Sequence, residues 1–124
     1  MTALPAYASG RFPTWVAVLG GIVWWMMHLT AEAALVPAAC HDSHVKWAMH
    51  AVTVVTAVAT LLGIAACLRM VQLARTRARA DSEESATVPG RTLFLGLFGL
   101  ITGAASLALI LMEGAYVAVL NPCS

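Results

Sequence analysis

The sequence predicts an all-α integral membrane protein, a bundle of three transmembrane helices. Three observations carry that prediction. Sixty per cent of the 124 residues are apolar and ten per cent charged, which leaves too little polar surface to cover a water-soluble domain of this size. Three apolar runs, 15–39, 47–68 and 93–120, each meet the requirement of about 20 residues per span, and no fourth run exists. The few polar residues inside the runs recur at helical intervals, as the sides of packed helices require. One domain over 1–124 is expected, with helices at about 15–39, 46–71 and 92–120.

The first run begins at Trp15 and ends at Pro37-Ala38-Ala39 before Cys40. It is longer than the apolar core of a signal peptide and has a single positive charge before it, so it is expected to stay attached. On it Trp24, His28 and Glu32 follow at intervals of four and share a face. The short polar stretch from His41 to Lys46 separates it from the second run, on which His50, Thr53, Ala57 and Thr60 form a weakly polar stripe. The third run follows Pro89-Gly90 and carries Thr102, Ser106, Leu109, Glu113 and Tyr116 at intervals of four and three. Gly99 and Gly103 form a small-xxx-small pair, and with Gly20, Gly21 and Gly63 they are expected to let helix backbones approach closely.

Orientation follows from the basic residues, which cytoplasmic loops retain. Arg69, Arg75, Arg77, Arg79 and Arg91 lie between the second and third runs and Arg11 precedes the first, whereas only Lys46 lies in the other loop. The N-terminus is expected in the cytoplasm and the C-terminus outside. Segment 72–91, which also carries Asp81, Glu83 and Glu84, is expected to be a solvated cytoplasmic loop.

The three cysteines divide by this topology. Cys40 and Cys123 fall on the oxidising side and Cys67 at the cytoplasmic end of the second run, so a Cys40–Cys123 disulfide is expected, with Cys67 left as a thiol.

Four ionisable residues, His28, Glu32, His50 and Glu113, sit inside segments suited to hydrocarbon. Each such group costs at least about 2.5 kcal/mol unless it faces a partner, a cavity or a function. Counting about 1.5 Å of rise per residue from the outer ends puts Glu32, His50 and Glu113 roughly 8 to 12 Å deep and His28 about 18 Å deep. Three helices thus contribute a polar group at nearly one level. Four uses are open: interhelical fastening by hydrogen bonds, a metal ion held by His28, Glu32, His50 and Glu113, a haem between His28 and His50, and proton carriage by the two carboxylates. The offset of about 10 Å between the two histidines argues against the haem.

The peptides Trp25-Met26-Met27-His28, Leu35-Val36-Pro37-Ala38-Ala39-Cys40, Trp47-Ala48-Met49-His50-Ala51-Val52-Thr53 and Asn121-Pro122-Cys123 together resemble small three-span bacterial membrane proteins encoded beside haem-copper cytochrome oxidases. The likeness covers the spans and not the inner loop, and Glu113 is outside it. It implies association with a terminal oxidase in a bacterial inner membrane, as a minor subunit or an assembly factor. The sequence has no nucleophile–base pair, phosphate loop or nucleotide motif, and with seven Lys and Arg against six Asp and Glu it has no charge excess suited to nucleic acid. The expected role is a small accessory subunit, not catalytic alone, whose partners are lipids and the other subunits of a respiratory complex. The alternative is a membrane metal- or haem-binding protein.

Overall fold

A computed structural model describes residues 11–80 and 87–120, with side chains described for 14–80 and 90–120. It holds three helices in the order α1 Arg11–Ala39, α2 His44–Ala80 and α3 Thr87–Val119, each containing a stretch long and apolar enough to cross a membrane. Among the described residues there is no strand. Every helix touches both others, and the chain runs up, down and up, so α1 and α3 are parallel and α2 opposes them.

The α1–α2 turn is closed locally. Pro37 lacks an amide hydrogen and stands in the last turn of α1, which ends two residues later. The amides of His41 and Asp42 both donate to the Ala38 carbonyl at 3.0 Å, and Asp42 Oδ1 accepts the His44 amide at 2.9 Å. That carboxylate satisfies one of the free amides at the start of α2.

The other connection differs from expectation. Segment 72–91 is helical over 72–80 and again over 87–91, and only 81–86 lies outside the described residues. Polarity had suggested a loop, but Ala74, Arg75, Arg77, Ala78, Arg79 and Ala80 are strong helix formers. The α2 helix, 37 residues long and so about 55 Å, outruns a hydrocarbon core of about 30 Å and carries its arginines beyond it.

The interior is built from small and weakly polar side chains. Buried positions include Val18, Gly21, His28 and Ala39 on α1, Met49, Thr56, Ala57, Thr60, Cys67, Val71 and Ala74 on α2, and Gly96, Gly99, Gly103, Ser106, Ile110 and Gly114 on α3. Many large apolar residues face outward instead, among them Leu62, Phe94, Ile101, Met112 and Val119. Hydrocarbon solvates a leucine as well as a protein core does, so close backbone approach rather than apolar burial selects the interior. The glycines show this. A methyl on Gly21 would lie 2.9 Å from Gly103 Cα, one on Gly99 2.6 Å from Cys67 Sγ and 3.2 Å from Val18 Cα, and one on Gly103 2.8 Å from Ile64 Cγ1. Gly20 and Gly63, also expected at contacts, have nothing within 4 Å.

Hydroxyls inside the bundle are satisfied along their own helices. Thr53, Thr56, Thr60 and Thr102 each donate to the carbonyl four residues earlier, at 2.8 to 3.1 Å. Cys67 is a free, buried thiol whose Sγ lies 3.4 Å from the Ala17 carbonyl of α1. Its small volume suits the point where α2 passes beneath Gly99.

Candidate functional site

The intramembrane polar residues do meet, around His28. Its side chain is 0% exposed. Nε2 stands 3.4 Å from Glu32 Oε1, one turn along α1, and 3.6 Å from Glu113 Oε2 on α3. Nδ1 is 3.3 Å from Thr56 Oγ1 on α2. Two further groups close the ring: Trp25 Nε1 donates to Glu113 Oε1 at 3.4 Å, and the Thr53 hydroxyl, shared with the Met49 carbonyl at 3.1 Å, lies 3.3 Å from Glu32 Oε1. All three helices are joined through one cluster.

The direction of the Cα–Cβ bond explains why His28 is the hub although its Cα lies a turn deeper than those of the acids. Side chains lean toward the N-terminal end of their own helix. Glu32 and Glu113 are on parallel helices, so both lean back toward the level of His28. His50 is on the opposing helix and leans the other way, toward the turn at Cys40. It is half-buried, its ring edge-on to Trp47 at a centroid distance of 6.4 Å, and it makes no hydrogen bond or ion pair among the described residues. His50 is therefore not a member of the cluster. Its place is taken by Thr56, six residues on.

The register of α2 supplies the second reason. Residues 49, 53, 56, 60, 67, 71 and 74 line its inner side, at intervals that repeat over seven residues, as in a helix pair with a left-handed crossing. That choice puts Met49 inside and turns His50 away by about 100°. On α3 the same repeat, through Gly96, Gly99, Gly103, Ser106 and Ile110, leaves Tyr116 exposed rather than on the inner stripe expected for it.

Proton positions follow from geometry. The Thr56 hydroxyl has one hydrogen and its shortest contact is the Val52 carbonyl at 2.8 Å. Its lone pairs then face His28, which assigns the imidazole hydrogen to Nδ1. Nε2 is left facing two carboxylate oxygens, and both it and Glu113 Oε2 are buried without a hydrogen-bond partner. A single proton held on either side of this contact turns it into a hydrogen bond.

Among the described residues no group of three or more His, Cys, Asp or Glu is disposed to hold a metal ion, so the expected set of His28, Glu32, His50 and Glu113 is not assembled. One oxygen of each acid faces Trp25 or Thr53, and both nitrogens of His28 face the bundle's own residues. The two histidines named for a haem have separate surroundings: His28 meets Thr56, Glu32 and Glu113, and His50 packs edge-on to Trp47.

Beside the cluster, a groove of about 570 Å³ runs between α1 and α3 toward the Val119 end. Leu29 and Glu32 form one wall, and Met112, Glu113, Tyr116 and Val119 the other. The side chains of Glu32 and Glu113 are 12% and 26% exposed, so the acids are reached from this side. Cys40 lies in the turn after α1, and Cys123 falls outside the described residues.

Trp25 and Thr56 are the cluster members that the sequence patterns passed over. Trp25 precedes His28 by three and Glu32 by seven, the interval of a helix seam. Thr56 is as far from His44 as His28 is from Cys40, twelve residues in each case, and so stands at the same depth. Comparison with protein-family models, characterised proteins and solved structures finds no match to this chain.

Proposed function

We propose that this chain is a small, non-catalytic transmembrane subunit of a bacterial respiratory complex, a haem-copper cytochrome oxidase, and that the His28 cluster fastens its three helices in register. The observation that supports the fastening role is the direction of the contacts: Trp25 to Glu113, Thr53 to Glu32 and His28 to Thr56 each cross from one helix to another. Each such bond contributes about 0.6 kcal/mol on average and up to about 1.7, enough together to select one packing of three otherwise featureless rods. The oxidase assignment is supported by the resemblance around His28, Cys40, His50 and Asn121-Pro122-Cys123.

The placement in the membrane is part of the proposal. The arginines of α2 face the cytoplasm under the positive-inside rule, which sets Cys40 and the end of α3 on the periplasmic side of an inner membrane. A Cys40–Cys123 disulfide then joins two cysteines that follow parallel helices, while Cys67 is buried and free. Gentle solubilisation of native membranes, affinity purification of the chain, and mass spectrometry with an absorption spectrum of the same sample test the assignment. Oxidase polypeptides and their haem bands are expected in the purified fraction; recovery of the chain without them refutes the reading.

A further inference from the structure

We propose that the groove between α1 and α3 receives a transmembrane helix of a partner protein, and that this helix places a lysine or arginine against Glu32 and Glu113. The inference rests on the subunit reading above and gives its contact face and its chemistry.

Apolar exposure alone would mean only lipid. The acids make this groove different from the rest of the surface. Two carboxylates present up to eight acceptor sites, and the bundle supplies them with few donors. Trp25 gives one N–H at 3.4 Å, and Thr53 gives a hydroxyl at 3.3 Å that is shared with the Met49 carbonyl. His28 offers Nε2 at 3.4 and 3.6 Å, a single position between two acceptors. Every one of these contacts is at or beyond the long end of hydrogen-bond range, and Glu113 Oε2 has no hydrogen-bond partner although it is buried.

Basic side chains are scarce in the same way. Residues 12–45 and 92–124 contain no Lys or Arg, and among the described residues His28 is the single base in contact with the acids, while from α2 the neutral hydroxyls of Thr53 and Thr56 face the cluster. Two carboxyl groups share one imidazole inside hydrocarbon, where an ionisable side chain is kept by pairing. The missing donor has one way in. α2 closes one side of the cluster, and the opening is the groove that Glu32 and Glu113 line.

The shape points to a helix. On α3 the groove is lined by Met112, Glu113, Tyr116 and Val119, and beyond it the exposed Leu97 and Ile101 continue the same face, so that the stripe follows α3 for 22 residues, about 33 Å, close to the thickness of the hydrocarbon core. A second helix can lie along that whole length, whereas the acyl chain of a lipid brings no donor to the acids. Glu113 is about 10 Å of helix below Leu120, so a long basic side chain on the partner, near one third of its span, meets both carboxylates.

The test uses the full chain reconstituted in phosphatidylcholine vesicles, whose quaternary ammonium headgroup cannot donate a hydrogen bond. The probes are two labelled synthetic leucine-alanine helices long enough to span, one with a single lysine a third of the way along and one with leucine there. Association is read by energy transfer. The lysine helix is expected to bind about ten-fold more tightly than its leucine twin, and the advantage is expected to vanish in the Glu32→Gln/Glu113→Gln chain, with Glu113→Gln alone as a second variant should the double variant lose its helical fold. Equal binding of the two probes, or an advantage untouched by either variant, overturns the inference. Loss of lysine-helix binding when phosphatidylethanolamine is added assigns the groove to a lipid headgroup and also overturns it. Co-purification of oxidase polypeptides with a chain that ignores the lysine probe would leave the subunit reading standing and remove this one; the reverse pattern would do the opposite.

Discussion

Gly20 and Gly21 are adjacent on α1, and the structure predicts opposite fates for the same substitution. A methyl added at Gly21 would stand 2.9 Å from the Cα of Gly103, 3.3 Å from its nitrogen and 3.4 Å from Ser106 Oγ. Carbon atoms pack best at about 3.5 to 4.0 Å, so Gly21→Ala forces α1 and α3 apart by roughly 0.6 to 1.1 Å. No rotamer change relieves this, because the obstacle is main chain. The separation would also slacken the fit of Gly99 under Val18. Overfilled interiors of this kind cost about 1 to 3 kcal/mol. At Gly20 a methyl meets nothing within 4 Å, so Gly20→Ala is expected to show only the gain in helix propensity, about 0.5 to 1 kcal/mol. That gain is common to both variants, and their difference isolates the steric cost. Reversible unfolding of the full chain in mixed micelles, followed by tryptophan fluorescence as denaturing detergent is raised, measures it. Gly20→Ala should unfold at or above the wild-type midpoint and Gly21→Ala clearly below it. Midpoints moving together, in either direction, would refute the contact of α1 with α3 at Gly103.

Further outcomes follow from the cluster and the cysteines. Thr56→Val removes the group that meets His28 Nδ1 and should cost about 1 to 3 kcal/mol, whereas Thr56→Ser keeps the hydroxyl and should cost much less; equal losses in the same titration would mean that the methyl, not the hydroxyl, matters. His28→Ala removes the side chain that meets Thr56 and both acids and leaves buried polar groups unpaired, which should cost about 1 to 3 kcal/mol, while His50→Ala, outside the cluster, should stay within about 0.5 kcal/mol; similar midpoints for the two would restore His50 to the site. Alkylation of the denatured, unreduced chain followed by mass measurement should label Cys67 alone, and Cys40→Ser should add a second labelled thiol at Cys123. Three labelled cysteines in unreduced wild type would remove the proposed bridge.

Several features of the fold are legible in the sequence. Run length and composition identify three spanning helices because a bilayer sets a minimum apolar length that few soluble segments reach. The meeting of Glu32 and Glu113 near one level was also legible, since helical rise converts residue number to depth. The partner of the acids was not. Depth counted at Cα ignores the lean of side chains, which on parallel α1 and α3 carries both glutamates toward His28 and on α2 carries His50 away. Face prediction from polar residues likewise placed His50 and Tyr116 inside, because it assumed that the polar side of each helix is the buried side. The inner face follows the seven-residue seam of small residues instead, with Met49 inward and Trp25 brought to Glu113. Segment 72–91 is helical over 72–80 and 87–91 for a related reason: arginine and alanine are soluble yet helix-forming, so loss of hydropathy does not mark the end of α2.

The chain's own order of residues determined what must be true of any packing: three rods long enough to cross hydrocarbon, basic residues concentrated at one end of α2, and acids that need a partner. These are properties of single helices in a bilayer, and each is read from residue type and spacing. Which imidazole serves the acids, which glycines touch, and which side of the cluster stays open were decided only when the three helices came together, because lipid solvates every apolar face equally and leaves small-residue contact and a few hydrogen bonds to choose the register.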